Sequence, residues 1–234
     1  MKCVVYSASR NLYPYLKAAV HSLLKHTTVD KVYLLIEDDK LPFEMPDVCE
    51  IVNISKQSYF RASGPNFRTR FTYLSLMRVC YAKLFPDLDK ILQLDVDTIV
   101  TDDISKLWDV DLNGKYFAAV EEYLSNWKPF GPKYYNIGVA MFNLDYIRRT
   151  HVDDDLINDL NNKFYPYIDQ DVWNKYGVTK AADLDVIFNE SFVTGYTDHP
   201  AIIHYAGVKN WFDYGKMKRW EYLYETRKEI GEEW

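Results

Sequence analysis

The run Ile91-Leu92-Gln93-Leu94-Asp95-Val96-Asp97-Thr98-Ile99-Val100 constrains the fold more than any other stretch, because an apolar segment is interrupted by two carboxylates. Ile91 to Leu94 are short, mostly apolar and largely branched, the pattern of a strand covered on both faces. In an extended chain Asp95 and Asp97 point to the same side, so at a strand end their carboxylates can share one cation and leave room on it for a ligand phosphate. The same residues also read as a polar strand end followed by an acidic turn, which Asp102 and Asp103 favour. On local sequence the two readings stand level.

A chain of 234 residues with 48% hydrophobic residues can bury a substantial core, and one α/β domain fits it best. A net charge of -6 argues against a general nucleic-acid binder. Cys3, Cys49 and Cys80 are an odd number in apolar surroundings without metal-ligand spacing, so they read as reduced core thiols and point to the cytoplasm. Met1 to Tyr6 turns polar too early for a signal peptide, and no apolar run approaches the roughly 20 residues of a membrane span. Aromatic residues make up 16% of the chain, which suits either core filling or a sugar site, since flat rings pack on the apolar faces of pyranoses.

Cys3 to Tyr6 reads as a first buried strand, with Leu16, Ala19, Val20, Leu23 and Leu24 at helical spacing behind it and Asn11 as the helix N-cap. Val32 to Ile36 and Glu50 to Ile54 read as the next strands of a parallel sheet with helical crossovers. The loop Ser7-Ala8-Ser9-Arg10-Asn11 then lies at the carboxyl edge of the sheet, where open α/β sheets bind ligands. Lys56 to Arg70 reads as an irregular surface loop, either a solvated connection or a lid turning Lys56, Arg61, Arg68 and Arg70 toward anionic groups. Tyr73, Leu76, Met77, Cys80 and Leu84 form a helical stripe from which Arg78 stands apart. Tyr134 to Leu144 reads as a strand whose start carries Asn136 and Gly138, and Asp169-Gln170-Asp171 opens a helix. Ala201 to His204 is a short strand ending in histidine; such a residue is more often structural, yet imidazole suits manganese if Asp95 and Asp97 already hold a metal. The tail from Lys216 reads as an amphipathic helix, whose Lys216, Lys218 and Arg219 make either a solvated face or a peripheral membrane contact.

In this order the pieces resemble glycosyltransferase family 8, the retaining sugar transferases that include glycogenin and bacterial lipopolysaccharide enzymes. The resemblance spans nearly the whole chain. It rests on Arg78 ahead of Pro86, Lys90 to Asp97, Asn136-Ile137-Gly138-Val139, Asp169-Gln170-Asp171 with Asn174, and His204-Tyr205-Ala206-Gly207. It implies a GT-A fold: a single Rossmann-like α/β domain with a mostly parallel sheet flanked by helices, a nucleotide-binding half over residues 1–105 and an acceptor-facing half over 106–234. It implies a UDP-sugar donor, glucose or galactose foremost, a carbohydrate or glycoconjugate acceptor, and Mn²⁺, with Mg²⁺ as the alternative. Carried over by position, Asp95, Asp97 and His204 are metal ligands and Ser7, Ala8, Ser9 and Asn11 wrap the uridine. Arg78, Val96, Asn136, Gly138 and Gly207 line the donor site, Lys209 holds the diphosphate, Asp169 binds sugar hydroxyls, and Gln170 sits by the anomeric carbon. The chain departs from the family where Ser9 stands for a usual aspartate, and where the spacing from His204 to Lys209 is one residue short.

Glycosyl transfer needs a charged diphosphate to leave while positive charge develops on the sugar, which a divalent cation and a lysine would assist. The sequence therefore favours a metal-dependent UDP-sugar hexosyltransferase. A non-catalytic nucleotide-sugar-binding protein is the alternative. A sugar-phosphate nucleotidyltransferase is disfavoured because no glycine stands in Ser7 to Asn11.

Overall fold

The computed structural model describes residues 1–206 and 219–232. Alternate residues of β1 (Cys3–Ser7) face opposite ways, Cys3 and Val5 into one core and Val4 and Tyr6 into another. β4 (Lys90–Leu94) divides in the same manner, with Ile91 in the first core and Leu92 and Leu94 in the second. A sheet buried on both faces needs helices on both. α1 (Tyr13–His26) brings Leu16, Ala19, Val20 and Leu23 to the second core. The opposite face is covered by α2 (Tyr73–Leu76), α3 (Tyr81–Leu84), α4 (Leu144–Thr150), α5 (Val152–Asn162) and α6 (Ile168–Gly177).

With β2 (Lys31–Ile36), β3 (Cys49–Asn53), β5 (Thr98–Val100), β6 (Phe117–Glu121), β7 (Tyr135–Asn143), β8 (Ala181–Asp183) and β9 (Ile202–His204), the described residues form two sheets. The large one runs β3-β2-β1-β4-β7-β6-β8, and four of its six pairings are parallel. β7 is the strand that runs against both neighbours. The small sheet is the antiparallel pair β5 and β9, packed near α1 and α7 (Trp220–Glu229) through Ala18, Ile99, Ile203, Tyr205 and Leu223. Among the described residues no helix is long and apolar enough to cross a membrane, and the three cysteines are free.

Two local expectations are corrected and a third, the irregular loop, is met. Asn11 does not cap α1; it lies in a 3-10 turn, Arg10–Leu12, accepting from the Ser9 hydroxyl at 2.7 Å, and α1 begins at Tyr13 with Pro14 in its first turn. The Tyr73 to Leu84 stripe is two short helices joined by a 3-10 turn, Met77–Cys80, although Leu76, Met77 and Cys80 are buried as expected. The Lys56 to Arg70 loop lacks helix and strand but is anchored: buried Asn66 donates to the carbonyls of Leu160 and Lys163, both at 2.7 Å. Arg61 donates to the carbonyl oxygen of Asn161, and Arg70 stacks over Phe71 and Tyr167.

On the helical face, the Asp159 carboxylate accepts from Lys163, Lys175, Tyr165 and Tyr176. Burial opposes its charge, but these four donors outweigh burial and hold the carboxyl below its ordinary value. A depressed folded pKa adds stability above the unfolded aspartate value of about 3.9, and that stability is lost as pH falls through the folded value. Asp159→Asn should therefore lower unfolding stability by about 2–3 kcal/mol at pH 7, with the gap closing in acid. Urea titrations of both proteins at pH 7 and in acid would show it; an equal gap at both would count against the assignment.

Candidate active site

The turn after β4 builds the centre of the site. β4 ends at Leu94, and the Thr98 N–H closes on the Asp95 carbonyl at 3.1 Å, so Asp95-Val96-Asp97 is a turn between two sheets. Asp95 and Asp97 thus converge by turning, whereas the sequence suggested alternation along one strand. The turn delivers the chain into β5, where Thr98 is paired with His204 of β9. That register brings a histidine distant in sequence onto the two carboxylates: His204 Nε2 lies 3.3 Å from Asp97 Oδ1 and 3.7 Å from Asp95 Oδ2. One donor atom from each of the three residues falls within 4.8 Å of the others.

β7 completes the pocket through an irregularity. Its pairing with β6 shifts between Ala119 and Val120, whose partners are Ala140 and Asn136, so the Ile137-Gly138-Val139 segment bulges. The Gly138 carbonyl accepts the Asp95 N–H at 2.7 Å. Freed from β6, the Ile137 N–H donates to Gln170 Oε1 and the Gly138 N–H to Asn136 Oδ1, both at 3.1 Å. A Cβ at Gly138 would lie 2.2 Å from His204 Cε1 and 2.8 Å from Asp95 Oδ2, so only glycine allows the backbone this close.

Arg78, almost wholly buried, reaches in from the 3-10 turn and pairs with Asp95, and with Asp169 of α6 at 3.1 Å. Gln93 also donates to Asp95, at 3.1 Å. Burial pushes the Asp169 carboxyl up to about 6 against the opposing pull of Arg78. Burial likewise raises Asp95, with Arg78 opposing. For Asp97 and His204 burial opposes charge on each, but their mutual attraction wins, holding the carboxyl below and the imidazole above its ordinary value. Three carboxylates thus face one guanidinium and one histidine.

This residue set fits a divalent cation. Two oxygens and an imidazole nitrogen converge, the uncompensated charge is negative, and the glycine keeps the space open. Manganese itself is a matter of proposal.

Of the residues expected from sequence, Arg78, Asp95, Asp97, Asn136, Gly138, Asp169, Gln170 and His204 meet in this network. Val96 lies buried beneath the turn. Ser7 ends β1, the parallel neighbour of β4, and Ala8, Ser9 and Asn11 follow it, so they lie at its carboxyl edge. Gly207 and Lys209 lie outside the described residues, as do Lys216 and Lys218. Asp171, grouped with Asp169 in sequence, faces elsewhere and accepts from Trp127 Nε1, the Tyr134 hydroxyl and the Tyr167 N–H.

Two residues were not anticipated. Glu122, buried just past the end of β6, accepts at Oε1 from Asn136 at 2.9 Å and Gln170 at 3.0 Å. Asn189, fully buried, faces His204 Nδ1 at 2.9 Å. A buried acid at the end of the apolar Phe117 to Val120 run was the available signal for Glu122; Asn189 had none.

Fold and site together define an α/β protein with an Asp-Asp-His cluster at the carboxyl edge of its sheet. The chain belongs to glycosyl transferase family 8, whose family profile matches residues 3–215. A Haemophilus influenzae relative is 26% identical over 194 residues, covering 73% of this chain and 58% of that protein. "Probable galacturonosyltransferase 13" of Arabidopsis thaliana is 50% identical over 52 residues, or 21% of this chain and 10% of that one. The glycosyltransferase GlyB of Streptococcus pneumoniae is 24% identical over 245 residues, covering 90% of this chain and 57% of GlyB. The chain thus spans little more than half of these two bacterial relatives. Among solved structures, an active-site mutant of LgtC superposes with a TM-score of 0.77 at 20% identity, covering 97% of this chain and 95% of LgtC. The galactosyltransferase LgtC with donor and acceptor sugar analogs gives 0.74 at the same identity and coverage. The fold is therefore GT-A, as the resemblance implied.

Proposed function

We propose that the chain is a metal-dependent, retaining hexosyltransferase that moves glucose or galactose from a UDP-sugar to a hydroxyl of a glycan or glycoconjugate. The observation that carries this reading is the convergence of Asp95, Asp97 and His204 at the carboxyl edge of the sheet. Asp95, Asp97 and His204 would hold Mn²⁺ or Mg²⁺, which would supply Lewis-acid stabilisation of the departing diphosphate. Residues 1–105 would seat the nucleotide, through Ser7, Ala8, Ser9 and Asn11, and residues 106–234 would face the acceptor. Gly207 and Lys209 complete the donor-binding set.

Arg78 holds Asp95 and Asp169 in place and keeps Asp169 ionised so that it can accept hydrogen bonds from donor-sugar hydroxyls. Gln170 is held at both ends of its amide, by Ile137 and Glu122, so its orientation is fixed. A neutral amide is a weak nucleophile. Gln170 would instead stabilise charge on the sugar while the leaving phosphate oxygen takes the acceptor proton on the same face, retaining the α configuration. Two features support an active-site role for this glutamine: one matching solved structure is an LgtC active-site mutant in which glutamine is replaced by glutamate, and Gln170 binds the Ile137 N–H beside Gly138, whose backbone abuts His204 and Asp95.

The test is a screen of UDP-glucose, UDP-galactose and UDP-galacturonic acid, the last because of the galacturonosyltransferase relative, for hydrolysis with and without Mn²⁺. Metal-dependent release of UDP with an α sugar product is expected. A β product seen by proton NMR at early times would overturn retention, and no turnover with intact UDP-sugar binding would favour a non-catalytic binder.

A further inference from the structure

One unbroken chain of side-chain hydrogen bonds joins the sugar-side glutamine to the cation-side histidine, and each link has a direction. Glu122 Oε1 receives Asn136 Nδ2 and Gln170 Nε2, so that oxygen only accepts. Asn136 must then turn its NH₂ toward Glu122 and its oxygen away, and two donors meet that oxygen: the Gly138 N–H at 3.1 Å and Asn189 Nδ2 at 3.0 Å. Asn189, having given its NH₂ to Asn136, turns its own oxygen to His204 Nδ1. An oxygen there requires Nδ1 to carry a proton. The ring atom left facing Asp95 and Asp97 is Nε2. Glu122, Asn136, Asn189 and His204 are all buried, so water does not interrupt the sequence of bonds.

We propose that Glu122 is a positioning residue that acts through Asn136 and Asn189 to keep His204 Nδ1 protonated and its Nε2 available to a cation, while the same Glu122 oxygen sets the Gln170 amide. One buried carboxylate thereby orients both the cation side and the sugar side of the site. The proposal rests on the reading of Asp95, Asp97 and His204 as a cation site. Glu122 makes no hydrogen bond or ion pair with any of those three residues, so beyond a through-space attraction to His204, which Glu122→Gln removes by itself, its influence on them passes along the relay. Outer partners of metal-bound histidine typically change metal affinity about 10- to 100-fold when removed.

The experiment uses the full chain. Mn²⁺ affinity is read from the electron paramagnetic resonance signal of free Mn²⁺, and His204 Nδ1–H from ¹⁵N-edited NMR of the metal-free protein at a pH where the ring is neutral, because a doubly protonated imidazolium carries that proton regardless of the relay. Asn189→Leu should weaken Mn²⁺ about 10- to 100-fold and Glu122→Ala about tenfold, both with loss of the Nδ1–H signal. Glu122→Gln, whose carbonyl still accepts both donors, should stay within about twofold of wild type. The double variant Glu122→Ala/Asn189→Leu should match Asn189→Leu alone, because both act through one ring. Wild-type affinity and Nδ1–H signal in Glu122→Ala, or losses that multiply in the double variant, would overturn the relay. An unprotonated Nδ1 in the wild-type spectrum would do so without any variant. If the wild type fails to bind Mn²⁺, the cation reading falls, while the NMR signal still tests the relay on its own.

Discussion

Asp97→Asn is expected to reduce sugar transfer by about 10³-fold or more and to abolish metal-dependent UDP binding, with the fold intact. Asp97 offers Oδ1 to the point where His204 Nε2 and Asp95 Oδ2 converge. Asparagine keeps the shape but removes the charge, leaving Asp95, itself paired with Arg78, as the remaining anionic ligand. Cation stabilisation of a leaving group is worth several kcal/mol, and each 1.36 kcal/mol is about tenfold in rate. The isosteric change removes one attraction on His204 while the Asn189 contact stays, so the loss of stability should be smaller, below about 2 kcal/mol. Transfer assays over a range of Mn²⁺ concentrations, with thermal melting as the control, separate the two effects. Transfer that survives at saturating donor without added metal would remove Asp97 from the mechanism.

Arg78→Met should have the largest effect on stability. Its guanidinium lies between Asp95 and Asp169, and the Asp169 side chain is only 3% exposed. Removing one partner of a buried ion pair strands the other and costs about 3–5 kcal/mol. Here the cost depends on pH in a stated direction. The Asp169 carboxyl already sits near 6 because of burial, and without Arg78 it rises further. A carboxyl raised above its unfolded value of about 3.9 is penalised increasingly as pH climbs from there through the folded value. The deficit of Arg78→Met should therefore be full at pH 8 and smaller at pH 5, measured by urea unfolding against wild type. A deficit independent of pH would show that Asp169 does not depend on Arg78.

Much of the architecture was legible because the strands announce themselves by composition. Val4, Val5, Ile91 and Leu92 are buried on both faces, and unbroken apolar runs are what such strands require. The antiparallel course of β7 was not legible, since its apolar residues satisfy either direction. Asn11 looked like a cap because its residue type caps helices, but Pro14 and the Ser9 to Leu12 turn displace the helix start. In the site, Arg78, Asp95, Asp97, Asn136, Gly138, Asp169, Gln170 and His204 come together in one network, while Gly207 and Lys209 lie outside the described residues. Glu122 carried only the signal of an acid closing an apolar run and Asn189 carried none, and their meaning comes from partners 14 and 15 residues away in sequence. The turn at Asp95 to Asp97 shows the same limit: alternation brought the carboxylates together on paper, but a Thr98 hydrogen bond brings them together in space.

The most direct measurement is a calorimetric titration of UDP into the metal-free protein and into protein saturated with Mn²⁺. The expected result is tight binding that needs the metal and disappears in Asp97→Asn. Equal UDP affinity with Mn²⁺ and in excess chelator would contradict the assignment of Asp95, Asp97 and His204 as the cation site through which the donor diphosphate is held.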